Sequence, residues 1–278
     1  MRLGAPVFNF TNAAEWAAAH VNKGLGAAYW PLPDSATPDE RDAYVRAAAD
    51  HDIVIAEVGI WNNMLHPDPA QREANIQTSI ARLRTADAVG ARCCVNIAGT
   101  RKAASWDGPH VDNFSEETFD LIVATTRRII TEAAPERTSF TLECMPWMVP
   151  YDECSMRRLI AAVDHPRFGV HIDMCNLMNS PVKVFRNAEI TCEWFAAFGS
   201  LIRCIHAKDV VLHPHLTTHI DEALPGRGMF DFAQLLRCAN DLAADVPVMC
   251  EHLPDEASYD EVTNYLSSLA KSLAIPFK

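Results

Sequence analysis

Long apolar runs are missing from this 278-residue sequence, although nearly half of its residues are hydrophobic. No run approaches the roughly 20 apolar residues that cross a bilayer. The first residues, Met1 to Pro6, lack the charged region and apolar core of a secretion signal. We therefore expect a soluble, cytoplasmic protein with a sizeable core and no membrane partner.

Positive charge is also scarce. The chain has 24 Lys and Arg against 36 Asp and Glu, which gives a formal net charge of −12. Such a field repels phosphate backbones unless basic residues are concentrated in one place. The pairs Arg127-Arg128 and Arg157-Arg158 are isolated on predicted helices. Nucleic acid is therefore not expected as a substrate.

The nine cysteines include no C-x-x-C pair, and their number is odd. Most of them lie in apolar segments, where a free cysteine packs as a small hydrophobic residue. We expect reduced thiols in the core rather than a disulfide framework.

Short apolar segments alternate with longer amphipathic ones along the whole chain. The predicted strands cover residues 3–9, 26–30, 53–58, 93–97, 139–143, 168–173, 201–206 and 246–251. The predicted helices run from the Asn12 cap to about 20, from the Thr37 cap onward, over 69–89, 115–133, within 151–163, and over 191–198, 231–242 and 255–273.

Eight strand–helix units without a linker predict one (β/α)8 barrel domain over residues 1–278. A doubly wound open sheet is the alternative. A glycine-rich fingerprint after the first strand would favour it, and the sequence has none.

Four consecutive predicted strands end in side chains that can bind a metal: Glu143, Asp173, His206 and Glu251. Functional residues of such barrels lie at the carboxyl ends of the strands. Neighbouring strands are about 4.8 Å apart, so these four groups can converge on one ion. Three carboxylates and an imidazole suit Mn²⁺ best, with Mg²⁺, Co²⁺ or Zn²⁺ as alternatives. Helix caps or hydrogen bonds at the barrel rim are the structural alternative.

Five motifs in the second half carry a family resemblance. They are Leu142-Glu143, His171-Ile172-Asp173-Met174-Cys175-Asn176, His206-Ala207-Lys208-Asp209, Pro225-Gly226-Arg227-Gly228 before Asp231-Phe232, and Glu251-His252. With these motifs the sequence resembles the sugar phosphate isomerase/epimerase family of xylose isomerase-like TIM barrels. That family includes ketose 3-epimerases, inosose dehydratases and, more distantly, endonuclease IV.

The resemblance implies the same four metal ligands, with Glu143 and Glu251 also acting as the catalytic acid and base. It implies carbohydrate metabolism and a small sugar or sugar-derived substrate, and it leaves room for a homo-oligomer. Two positions depart from the ketose 3-epimerase pattern. Asn176 stands where those enzymes have a histidine, and Leu212 stands where they have an arginine.

Other polar and aromatic residues near the strand ends are candidates for substrate binding. They are Asn96, Trp147, His171, Asn176, Lys208 and Arg227. His171 is equally well explained as a hydrogen-bonded interior histidine, and Lys208 as a rim ion pair or the partner of an enediolate. Trp61 and Trp106, with Trp147, favour a substrate with an apolar face.

The segment after the seventh strand contains His213, His215 and His219. A lid or substrate-contact loop explains them better than a second metal site, because their spacing is irregular.

These observations predict a metal-dependent sugar isomerase or epimerase that abstracts a proton next to a metal-bound carbonyl. A lyase acting through the same enolate is the alternative, either a dehydratase or an enzyme that cleaves 3-keto-glycosides or C-glycosides. A zinc endonuclease and a non-enzymatic subunit are less favoured, because the charge is negative and all four strand-end ligands are present.

Overall fold

Parallel strands alternate with helices in the computed structural model, which describes residues 1–278. The strands are β1 (Arg2–Gly4), β2 (Ala27–Tyr29), β3 (Val54–Gly59), β4 (Cys93–Asn96), β5 (Ser139–Glu143), β6 (Phe168–Asp173), β7 (Ile202–Ala207), β8 (Asp209–His213), β9 (His219–Ala223) and β10 (Pro247–Cys250). Eight of them close into a barrel in the order β1-β10-β7-β6-β5-β4-β3-β2, which confirms the predicted (β/α)8 fold. The remaining two strands, β8 and β9, form an antiparallel hairpin.

The helices follow the strands along the chain. They are α1 (Ala13–Asn22), α2 (Pro38–Asp50), α3 (Pro69–Val89), α4 (Glu116–Ala133), α5 (Glu153–Val163), α6 (Met174–Leu177), α7 (Pro181–Phe185), α8 (Asn187–Phe198), α9 (Phe232–Asn240) and α10 (Glu256–Ser272). Short 3₁₀ turns cover Val111–Phe114 and Gly199–Leu201. No helix combines the length and the apolar character needed to span a membrane.

Local sequence signals fix several helix ends. The hydroxyl of Thr37 accepts a hydrogen bond from the Glu40 amide, and the Glu40 side chain bonds back, so the predicted capping box is present. Asp68 caps α3, with Pro69 in its first turn. Gly90 ends α3 at a φ of 73°, a left-handed conformation that favours glycine.

The chain divides into two compact units, and the division falls within β3 and β6. In one unit, Met1–Ala56 with Ile172–Lys278, helix α1 packs on α2 and α8 on α9. In the other, Glu57–His171, helix α3 packs on α4 and strand β4 pairs with β5. Apolar side chains such as Leu83, Ile122 and Phe140 are fully buried in the second unit.

Several predicted boundaries were wrong. The first strand ends at Gly4 rather than at residue 9, because Pro6 has no amide hydrogen to donate to a ladder. The eighth helix begins at Asn187, four residues before the predicted start at residue 191. The segment after β7, predicted as a loop, contains the β8–β9 hairpin, and α7 was not predicted.

Candidate metal centre

The strands place the four predicted metal ligands where their apolar segments end. Glu143 is the last residue of β5 and Asp173 the last of β6. His206 lies one residue before the end of β7, and Glu251 directly follows β10. Met249 of β10 pairs with His206 in the parallel ladder, so these two strand ends are in register. Glu143, Asp173 and His206 are buried, while the Glu251 side chain keeps 18% of its surface exposed.

The ligand atoms of Glu143, Asp173, His206 and Glu251 all lie within 4.8 Å of one another. Two ligands on opposite sides of a divalent ion are about 4–5 Å apart, because each lies roughly 2.0–2.5 Å from the ion. Three carboxylates and one imidazole also supply the oxygen and nitrogen donors that such ions prefer. The residues present therefore fit a divalent metal ion.

Lys208 directly contacts this group. Its Nζ lies 2.6 Å from Oδ2 of Asp173 and 3.1 Å from Oε2 of Glu251. The side chain of Lys208 is only 4% exposed. Burying an unpaired ammonium or an unpaired carboxylate costs several kcal/mol of desolvation free energy, so the opposite charges stabilise each other here. Lys208 therefore balances part of the negative charge of the centre.

Electrostatics keep Glu251 ionised. Burial raises the pKa of its carboxyl, but the charges of His206 and Lys208 and a hydrogen bond from His206 outweigh burial. The pKa of Glu251 therefore lies well below its usual range. Nδ1 of His206 lies 3.0 Å from Oε2 of Glu251. At neutral pH Glu251 is a carboxylate, the form that binds a cation or accepts a proton.

The β8–β9 hairpin contributes Glu222, an acidic residue that the sequence analysis missed. Glu222 of β9 accepts a hydrogen bond from Nδ1 of His252 at 3.1 Å, and its Oε1 lies 3.6 Å from Nζ of Lys208. This hydrogen bond lowers the pKa of Glu222 and raises the pKa of His252. No spacing rule pointed to Glu222, because its position depends on the hairpin, which was predicted as a loop.

Asp209 explains two of the sequence motifs. Its buried carboxylate accepts hydrogen bonds from the backbone amides of Val210, Gly226, Gly228 and Phe230, at 2.8 to 2.9 Å. A Cβ on Gly228 would lie 2.2 Å from Oδ1 of Asp209, so this close approach requires glycine. The Lys208-Asp209 and Pro225-Gly226-Arg227-Gly228 segments are thus bound together at the base of the hairpin.

His171, a predicted substrate-binding residue, has a buried partner. Its Nε2 lies 2.9 Å from Oε2 of Glu57, and neither residue is exposed by more than 2%. The ligand atoms of Glu57, His171 and His206 also lie within 4.8 Å of one another. This group has one carboxylate, whereas the four-residue group has three. The four-residue group is therefore the better match to a divalent ion.

The other predicted substrate-binding residues have defined partners. Asn96 is buried, and its amide exchanges hydrogen bonds with the backbone and side chain of Asn62. The indole nitrogen of Trp147 donates to Asp107 at 2.7 Å. The backbone amide of Asn176 donates to Oδ1 of Asp173 at 3.2 Å.

Arg227 pairs with Glu261 of α10 at the surface. The substrate roles of Asn96, Trp147, Asn176 and Arg227 stay predictions.

The three histidines after β7 lie on the hairpin. The rings of His213 and His215 stack with centroids 5.8 Å apart, and His215 meets His219 edge-on at 5.6 Å. Nε2 of His213 lies 3.3 Å from the exposed carboxylate of Asp221. The structure thus places them on an exposed hairpin, so their predicted role in substrate contact stays open to test.

Comparison with known proteins assigns the fold family. Residues 14–269 match the model of the xylose isomerase-like TIM barrel family. The chain belongs to this family. No curated protein matches the sequence significantly.

Solved structures share the fold at low identity. A xylose isomerase-like TIM barrel protein from Mycobacterium smegmatis in complex with magnesium is 18% identical, with a TM-score of 0.69 over 95% of this chain and 90% of its own. A 3-keto-D-glucoside 4-epimerase from E. coli is 13% identical, with a TM-score of 0.67 over 98% and 99%. A probable 3-DHS dehydratase from Bacillus anthracis is 15% identical, with a TM-score of 0.69 over 95% and 97%. At these identities the similarity shows the fold alone, and proteins with this fold include both epimerases and a dehydratase.

Proposed function

We propose that this chain is a divalent-metal-dependent sugar isomerase or epimerase, which moves a proton at the carbon next to a carbonyl. The observation that carries the proposal is the group of three carboxylates and one imidazole at the ends of barrel strands. The edge where strands end is the site of chemistry in barrels of this kind. Epimerases with the same fold support the reaction class.

In this proposal Glu143, Asp173, His206 and Glu251 hold the ion. Mn²⁺ suits the donor set best, with Mg²⁺, Co²⁺ or Zn²⁺ as alternatives. The magnesium complex of the Mycobacterium smegmatis relative supports a divalent ion in general. A bound divalent ion polarises a carbonyl oxygen and stabilises negative charge on it.

The side chains of the chain supply the proton transfers. Glu251 is ionised at neutral pH and is available to take the proton from the substrate carbon. Glu143 is assigned the second proton position, as the resemblance to family epimerases implies. Lys208, whose ammonium is already buried among carboxylates, neutralises negative charge that develops beside it.

A lyase is the second candidate. If the substrate carries a leaving group on the carbon β to the carbonyl, loss of the same α proton leads to expulsion of that group. Asn176 and Leu212 replace the histidine and arginine of ketose 3-epimerases, which favours a substrate other than a free ketose. A dehydratase among the solved structures with this fold supports this alternative.

The test is proton NMR in D₂O with Mn²⁺-loaded protein and two substrate panels. One panel contains free ketoses and inososes, and the other contains 3-keto-glycosides. Glu251→Gln removes the proposed base, and Glu117→Gln, on the exposed face of α4, is the matched control.

Deuterium that enters next to the carbonyl, together with an accumulating epimer, supports the isomerase. Release of water or of the aglycone supports the lyase. In both cases Glu251→Gln should reduce turnover by at least about a hundredfold, while Glu117→Gln stays near wild type. Full activity in Glu251→Gln, or after chelation of the metal, would rule out the shared mechanism.

A further inference from the structure

A large cleft lies in the unit Glu57–His171, between the loops that follow β3 and β4. Its volume is about 900 Å³, the size of a small-molecule binding site. Both its tryptophans are partly open to solvent. Trp61 is 37% exposed and Trp106 is 49% exposed. Two partly exposed indoles in one cavity are unusual, because each leaves apolar ring surface in water.

Trp61 is held there at a conformational cost. Its φ is 51°, in the left-handed region that bulky residues rarely adopt. The indole folds back over Gly59, where an added Cβ would lie 2.2 Å from the indole nitrogen. A strained aromatic residue is retained when the surrounding structure requires it, and such residues concentrate at ligand sites.

Hydrogen bonds cross-link the wall of the cleft. The Asn75 side chain donates to the Asn63 backbone at 2.7 Å, and the Asn63 side chain donates to the backbone of Thr100 at 2.8 Å. Asn63 in turn accepts from the amides of Leu65 and Thr100 at 3.0 Å. These bonds tie α3 and the two loops together, so little ordering remains to be done on binding.

No lysine or arginine is among the residues that line the cleft. The guanidinium groups of Arg72 and Arg101 are turned to backbone carbonyls of His66 and Leu65. The one lining carboxylate, Asp68, accepts hydrogen bonds from the amides at the start of α3, which lower its pKa. Nδ1 of His66 accepts from the Asp68 amide, and Nε2 faces the Ala103 carbonyl, so these bonds fit an uncharged imidazole.

We infer that this cleft binds an uncharged ring with one apolar face, packed against Trp61 and Trp106. A sugar ring and a flat aromatic aglycone both present an uncharged apolar face to an indole. An uncharged glycoside contains one or both of these rings, so we expect it to be the ligand. Binding of the ring does not depend on the proposed function. Only the identification of this ring as part of the substrate rests on the proposed function.

Binding is tested directly, without metal and without turnover, by isothermal titration and saturation-transfer NMR. The probe is phenyl β-D-glucopyranoside, with methyl β-D-glucopyranoside and phenol as its two halves. Binding of the methyl glucoside alone would identify the sugar as the stacked ring, and binding of phenol alone would identify the aglycone. Trp106→Ala is the main variant because this residue is half exposed and its loss should not disturb folding.

Trp106→Ala should weaken binding of phenyl glucoside about tenfold. Phe185→Ala, which removes a 69% exposed ring on α7, should leave it almost unchanged. These measurements need neither metal nor turnover, so a failure of the proposed chemistry is separable from a failure of this site. Wild-type binding in Trp106→Ala, or no binding of any probe to the wild type, would overturn the inference. So would tighter binding of phenyl phosphate than of phenyl glucoside.

Discussion

The ammonium of Lys208 lies 2.6 Å from the carboxylate of Asp173, and its side chain is almost completely buried. The same nitrogen is 3.1 Å from Glu251. Lys208 would therefore compete with a divalent ion, because both would interact with the carboxylates of Asp173 and Glu251.

Replacing Lys208 by Met should have two opposite effects. Without metal, the free energy of unfolding should fall by about 3–5 kcal/mol, because buried carboxylates lose their partner. The affinity for Mn²⁺ should rise about tenfold, because the competing charge is gone. Denaturation with urea and isothermal titration measure the two effects. Lys271→Met, at an exposed position of α10, should change neither, and weaker Mn²⁺ binding in Lys208→Met would contradict the competition.

Asp209→Asn should loosen the base of the hairpin. One carboxylate oxygen accepts from Gly226 and Gly228, and an amide nitrogen in its place would oppose two backbone donors. We expect a loss of about 2–4 kcal/mol in unfolding free energy, together with faster hydrogen exchange over residues 226–230. We call the four backbone hydrogen bonds to this carboxylate the clamp at Asp209. Asp221→Asn on exposed β9 is the control, and unchanged exchange in Asp209→Asn would disprove the clamp.

The stabilising effect of Asp245 should depend on pH. Burial raises the pKa of its carboxyl, but hydrogen bonds from Arg2 and the N-terminal ammonium outweigh it and lower the pKa to about 2. Folding lowers the pKa of Asp245 from about 4 in the unfolded chain. The carboxylate therefore stabilises the folded protein above about pH 4, and this contribution is lost as the pH falls towards about 2.

Asp245→Asn should therefore cost about 1–2 kcal/mol at about pH 7, after allowance for solvent screening, and progressively less below about pH 4. Urea denaturation at a series of pH values measures the difference between variant and wild type. A difference that stays constant from neutral pH down to about pH 3 would exclude this linkage. Asp50→Asn, at the exposed end of α2, provides the baseline.

The nine thiols should fall into classes by accessibility. Cys154 and Cys192 are exposed, Cys238 is half-buried, and the other six are buried. Burial is the main cause that raises the pKa of Cys238 to about 11, which slows its alkylation further. Alkylation with iodoacetamide, mapped by mass spectrometry, should label Cys154 and Cys192 first. Rapid labelling of Cys93 or Cys250 in the native state would contradict the buried core.

The sequence predicted the barrel because its strands are buried runs of branched apolar residues between capped helices. It located Glu143 and Asp173 at strand ends because each apolar run stops at a carboxylate. The hairpin was missed because β9 reads His219-Ile220-Asp221-Glu222-Ala223, a mostly exposed polar strand with no apolar run to signal it. The antiparallel pairing of β8 with β9 places Asp209 opposite Ala223 and brings Gly226 to the Asp209 carboxylate. The positions of Glu222 and of the residues that bond to Asp209 therefore depend on the hairpin.

The clamp at Asp209 has a consequence for where this protein tolerates changes of sequence. All four of its hydrogen bonds lie at the base of the hairpin, while the segment from His213 to His219 projects beyond them. We therefore expect changes of length or residue type in that outer segment to leave Lys208 in place. The hairpin tip can thus serve as an insertion point whose sequence varies independently of the residues around Lys208.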